Sequence, residues 1–233
     1  MIKQLLRINK LIVLTLFVIT SFSFFTGCDE DTVTTPTANN PKTTVTHDSP
    51  NAPNVDILVG DNVIASNVPY NNTLQYTELN TGNNRIRVNV TGTTTSVIDA
   101  TLFFQEGKYY SIFAIDSVNK ISALRVDDDL TAPGSGNAHV RFIHLSPNAP
   151  EVDIAVAGGD VLFPFYEFKE FSDFRPVTAG TYNLEVRLAG TTTVVLPLNN
   201  ITFEQGKIYT VYARGFVGAS GSQALGASII NNN

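Results

Sequence analysis

One phrase occurs twice in this chain. His47-Asp48-Ser49-Pro50-Asn51-Ala52-Pro53-Asn54-Val55-Asp56-Ile57 returns as His144-Leu145-Ser146-Pro147-Asn148-Ala149-Pro150-Glu151-Val152-Asp153-Ile154. Only Asp48/Leu145 and Asn54/Glu151 differ. The likeness continues downstream. Gly92-Thr93-Thr94-Thr95 matches Gly190-Thr191-Thr192-Thr193, and Phe104-Gln105-Glu106-Gly107-Lys108 matches Phe203-Glu204-Gln205-Gly206-Lys207. The offset grows from 97 to 98 to 99 residues, and single-residue insertions of this kind fall in loops. A period near 97 residues is too long for a solenoid repeat and suits a globular domain. The chain reads as two copies of one module.

The module is built of strands. In Arg85-Ile86-Arg87-Val88-Asn89-Val90 the apolar residues take every second place, as they do in Asn183-Leu184-Glu185-Val186-Arg187-Leu188. Period two buries one face and leaves the other in water. Tyr109 to Ile115 is apolar on both faces and reads as a central strand, with Ile208 to Ala213 as its partner. Gly60-Asp61-Asn62 and Gly158-Gly159-Asp160 read as hairpin turns, because these residues tolerate positive φ. Such spacing predicts about seven or eight short strands per copy. The expected fold is all-β: two tandem Ig-like or transthyretin-like antiparallel β-sandwich domains. Repeat 1 is expected at residues 43–130, a linker at 131–137 and repeat 2 at 138–233. A linker this short predicts sandwiches placed end to end.

The N-terminus carries an address. Lys3, Arg7 and Lys10 precede an apolar run from Leu11 to Phe25, followed by Thr26-Gly27-Cys28. A basic start, a short apolar core and small residues make a secretory signal. The segment resembles a bacterial lipoprotein signal, with Phe25 where Leu is usual. The resemblance implies cleavage of residues 1–27 and diacylation of Cys28, the only cysteine. More than one acyl chain would anchor the protein stably. Residues 28–42 are then the acylated cysteine and a flexible Thr/Pro/Asn-rich tether. Of 15 Lys and Arg in the chain, three precede Cys28; the 12 left face 21 Asp and Glu, a net charge of −9. No basic footprint for nucleic acid is present. The expected location is the cell envelope, with the outer membrane or cell surface favoured.

Several motifs together carry a family resemblance: His-x-Ser-Pro-Asn-Ala-Pro-x-Val-Asp in both copies, Val126-Asp127-Asp128-Asp129-Leu130-Thr131-Ala132-Pro133, and Ala138-His139-Val140-Arg141-Phe142-Ile143-His144. The chain resembles the DUF4397 family, a domain of unknown function found in secreted and surface-anchored prokaryotic proteins, often in tandem. The resemblance implies location and fold, and supplies no catalytic residues. Repeat 1 departs from it at Asp48, where repeat 2 has an apolar residue.

Candidate chemistry is sparse. His144 shares a strand face with Val140 and Phe142, so its ring nitrogens need partners. Asp153 follows after a Pro-rich turn, and His47 and Asp56 repeat the arrangement. We expect a His–Asp hydrogen bond bracing each turn. Ser49 and Ser146 complete a formal Ser/His/Asp set. Each Ser lies two residues from its His, before Pro, and no Gly-x-Ser-x-Gly elbow supports it. No catalytic residues, metal ligands or cofactor site are assigned; a calcium site at Asp127, Asp128 and Asp129 is left open, since its spacing lacks the EF-hand alternation.

The copies differ most in aromatic content. Tyr70 and Tyr76 match Phe168 and Phe174, which reads as shared core. Phe163, Phe165, Tyr166 and Phe171 have no counterparts and form a candidate patch for a protein partner or a glycan. The expected function is a non-enzymatic, lipid-anchored structural or interaction module. The alternative is a glycan- or ligand-binding accessory protein that uses this aromatic segment.

Overall fold

The computed structural model describes residues 39–233. The signal, Cys28 and most of the tether lie outside the described residues. Among the described residues, sixteen strands and two short 3-10 turns, Val118–Lys120 and Gly221–Gln223, make up the regular structure.

The first copy holds β1 (Lys42–Asp48), β2 (Val55–Val59), β3 (Asn62–Val68), β4 (Asn72–Glu78), β5 (Gly82–Val90), β6 (Ser96–Phe104), β7 (Tyr109–Ile115) and β8 (Ser122–Asp128). The second holds β9 (Asn137–His144), β10 (Val152–Val156), β11 (Val161–Tyr166), β12 (Arg175–Thr178), β13 (Gly180–Leu188), β14 (Val194–Phe203), β15 (Ile208–Arg214) and β16 (Gly226–Asn231). Each copy forms two four-stranded sheets: β4-β1-β7-β8 with β3-β2-β5-β6, then β12-β9-β15-β16 with β11-β10-β13-β14. The topology is the same twice. All pairs are antiparallel except one in each copy, β1 with β7 and β9 with β15. Those two pairs join strands far apart in sequence, and a parallel pair requires such a long crossover.

Alternation explains each sandwich core. Val45 of β1 and Tyr110, Ile112 and Ala114 of β7 pack against Val55, Ile57, Ile86 and Val88 of the facing sheet. The second copy repeats this with Val140, Phe142 and Val211 against Val152, Ile154, Leu184 and Val186.

The central strands also bury their other faces. Phe113 and Ile115 of β7 and Val126 of β8 form one cluster with Ile143 of β9, Leu145, Tyr212 of β15 and Ile230 of β16. The two inner sheets therefore face each other, and residues Ala38–Asn233 make one compact unit. The stack runs β3-β2-β5-β6, then β4-β1-β7-β8, then β12-β9-β15-β16, then β11-β10-β13-β14. This corrects the end-to-end expectation. A sheet apolar on both faces needs cover on both sides, and each copy supplies the cover for the other.

Candidate functional site

The repeated phrase folds as a clamp. His47 and His144 lie inward on β1 and β9, with Val45 and with Phe142. The Nε2 of His47 lies 3.1 Å from the Pro53 carbonyl, and that of His144 lies 3.2 Å from the Pro150 carbonyl. A carbonyl only accepts, so Nε2 carries the hydrogen in both. Burial holds both imidazoles below their ordinary pKa, opposed by these backbone contacts. The hydroxyls of Ser49 and Ser146 donate to the carbonyls of Asp116 and Gly215, each at 2.6 Å. Both acceptors sit just past the ends of β7 and β15, at positive φ. Each clamp thus ties its loop to the neighbouring strand end.

The expected His–Asp hydrogen bonds do not form. Period two places Asp56 between the inward Val55 and Ile57, so its carboxylate leaves the sandwich while His47 points into it. Asp56 Oδ1 accepts the Asn67 amide at 2.8 Å and Oδ2 the Gly92 amide at 3.2 Å. Asp153 accepts the Phe165 amide at 2.7 Å and the Gly190 amide at 2.8 Å. Histidine and aspartate therefore brace two different places. The aspartate links a bulge at the end of β3 or β11 to the turn after β5 or β13. The Ser/His/Asp set does not converge on a common point.

The aromatic segment divides four ways. Phe163 is buried in the second core, which removes it from the candidate patch. Its place on β11 opposite Ile154 puts it inward. Tyr166 is half-buried, edge-on to Phe142 at 5.5 Å between ring centroids. Phe165 and Phe171 are exposed, at 58% and 42%. Phe168 packs against the cluster between the copies, and Phe174 lies under the Arg141 guanidinium at 4.5 Å. The expected core positions thus serve the contact between copies. Phe165 has φ +58°, at the place where the first copy has Asn67 at φ +54°. Asparagine tolerates this left-handed backbone; a bulky residue there is strained.

The sequence reading did not foresee the polar seam between the inner sheets. Arg141 of β9 and Asp128 of β8 form an ion pair at 2.7 Å, with side chains 1% and 0% exposed. Asp128 Oδ1 makes only this charge contact, while Oδ2 accepts the hydroxyls of Ser111 and Tyr76. Arg141 also donates to Thr210, Ser111 and the Asp127 carbonyl. Asn232 accepts from Thr210 and donates to Tyr76. Strand register aligns Arg141 with Thr44 and Asp128 with Asn232. Each charge in the pair therefore stands where the other copy is neutral. The signal was in the sequence, as differences between copies at every second place of the apolar strands.

Asp48 belongs to the same seam. It is buried with both carboxylate oxygens unpartnered. Burial pushes its carboxyl well above the usual carboxylate range, against the pull of Arg214. Burial, with the Asp48 charge, also pushes the Tyr70 hydroxyl up to about 12. The Asp127–Asp129 run splits three ways. Asp127 pairs with Arg125 at 3.2 Å, Asp128 with Arg141, and Asp129 accepts from the Thr131 amide and hydroxyl. Among the described residues no three His, Cys, Asp or Glu side chains gather to hold a metal ion.

Fold and polar chemistry together define a duplicated all-β module whose recurrent polar residues hold its own loops and sheets. Residues 41–155 and 155–233 match the family model described as "Domain of unknown function (DUF4397)", and the chain belongs to that family. No curated protein matches it.

Proposed function

We propose that the protein is a non-enzymatic, lipid-anchored cell-envelope component that acts as a structural or interaction module. One observation carries the reading: the residues best suited to catalysis are used for structure in both copies. Ser49 and Ser146 donate to backbone carbonyls, and the histidines close their own loops. The Cys28 context and the tether support anchoring at the outer membrane or cell surface. Cys28→Ser is expected to move the protein from the membrane fraction to the soluble fraction; retention in membranes counts against the anchor. Proteolysis of intact cells then tests surface display. Cleavage of the wild type without lysis supports it, and protection until lysis places the module inside the envelope.

A second reading is favoured by Phe165, an aromatic side chain held in water on left-handed backbone. It is a ligand- or glycan-binding accessory protein that uses Phe165 of the aromatic segment. A glycan array tests it. Binding that is lost in Phe165→Ala, with the fold intact, supports this reading, and no bound glycan argues against it.

A further inference from the structure

The two copies are closed differently at one end. In the first, six residues, 116–121, join β7 to β8 and include the turn Val118–Lys120. Val97 and Ile121 pack there against the first core. In the second copy the same connection runs eleven residues, 215–225. Strand register aligns Val195 with Val97 and Leu225 with Ile121. Val195 is 36% exposed and Leu225 half-buried. With Val152, Val186, Leu188 and Val217 they line a cavity of about 340 Å³.

The cavity is built into the fold. One wall is the clamp, where His144 holds Pro150, and both residues line the space. Another wall is the paired strands β13 and β14. The longer connection is itself tied down. The Phe216 amide donates to the Gln223 carbonyl at 2.8 Å, and the Leu225 amide to the Phe216 carbonyl at 2.9 Å. Asn148 accepts the Val217 amide at 2.8 Å. These bonds fold the connection on itself and tie it to the loop that carries Asn148. Native cores hold few voids larger than a water molecule, and in the first copy Val97 and Ile121 pack onto the core at the matching place.

The lining selects the ligand class. Apart from the His144 imidazole, whose Nε2 is held by the Pro150 carbonyl, its walls are aliphatic, and no charged side chain lines it. A charged or many-hydroxyl group entering would lose hydration without gaining partners. A dry cavity of about 150 Å³ already admits benzene, so this one takes a hydrocarbon group about twice as bulky. Val195 and Val217, the latter 45% exposed, mark the mouth. We propose that this cavity binds the alkyl chain of an amphiphile, end first, with the polar head left in water.

The test uses residues 38–233, which contain all the described sheets and cores. Methyl-labelled protein is titrated with octyl glucoside below its micelle concentration, and with methyl glucoside. Saturable shifts confined to methyls of the cavity, with no response to methyl glucoside, support the site. Ala149→Trp, which fills the space, and Val217→Asp, which charges the exposed mouth, are each expected to weaken binding at least about tenfold. Two variants guard against misfolding of either, and near-UV circular dichroism checks both. A parallel titration with phosphatidylcholine vesicles separates the sources: cavity shifts there assign a bilayer lipid, and shifts with octyl glucoside alone assign a soluble amphiphile. No saturable shift with either probe overturns the proposal. So do an equal response to methyl glucoside, shifts centred on Phe165, or undiminished binding in both variants.

Discussion

Asp128→Asn removes one charge from the seam and almost no volume. The variant leaves Arg141 buried at 1% side-chain exposure without a counter-charge. Removing one partner of a buried pair costs about 3–5 kcal/mol. Arg141 keeps neutral acceptors on Thr210, Ser111 and Asp127, so the lower end, about 3 kcal/mol, is expected. For a unit of this size that is a fall in Tm of about 6–12 °C. The double variant Asp128→Asn/Arg141→Met removes both charges and refills the space. Replacing both members of a buried pair is often neutral, so it is expected within about 1 kcal/mol of wild type, and less destabilised than Asp128→Asn alone. Urea unfolding of wild type, both single variants and the double variant measures the coupling. A loss below about 1 kcal/mol for Asp128→Asn, the behaviour of an exposed pair, would refute the reasoning. A double variant as unstable as the two single losses added would do the same.

Other positions give further expectations. Asp48→Leu installs the residue of the second copy, where Leu145 is buried. The folded-state pKa of Asp48 is raised, so folding loses stability as pH rises above the ordinary carboxylate value. Asp48→Leu should stabilise the protein at pH 7 and gain less near pH 4; destabilisation at pH 7 sinks this account. Both clamp histidines have lowered folded-state pKa values against an ordinary 6.5. Their contribution is fully present above pH 6.5 and lost as pH falls below it. Between pH 7.5 and pH 5 this loss opposes the gain from Asp48, so the test is the difference: His47→Gln/His144→Gln should lose less stability, or gain more, than wild type as pH falls, and equal slopes contradict this. Phe165→Asn copies Asn67 onto the same left-handed backbone and should stabilise by about 1 kcal/mol through relief of strain. A lower Tm for this variant means that the ring packs better than its exposure indicates.

The strands were legible because alternation and glycine turns are local signals. Ile86, Val88 and their partners in β13 reported their own burial, and the two-sided apolar strand Tyr109–Ile115 reported a central position. What covered its second face was not local. Phe113 meets Tyr212 and Ile143 only when the copies stack, and no single strand carries that information. The clamp residues were legible as structural, but their partners were misassigned. The phrase places His47 and Asp56 nine residues apart, yet His47 points into the sandwich and Asp56 out of it. The aromatic run misled for the same reason: on a strand, neighbouring rings point opposite ways, so Phe163 is core and Phe165 is surface. The cavity in the second copy is bordered by Val217 and Leu225 of the longer connection from β15 to β16, a difference between the copies that strand alternation does not report.

The central claim is that both copies form one cooperative unit joined by a copy-specific seam. Differential scanning calorimetry of residues 38–233 tests it most directly. The account predicts a single transition with calorimetric and van't Hoff enthalpies equal, shifted as a whole by Asp128→Asn. Two separate transitions, with the second copy melting unchanged in Asp128→Asn, would contradict it.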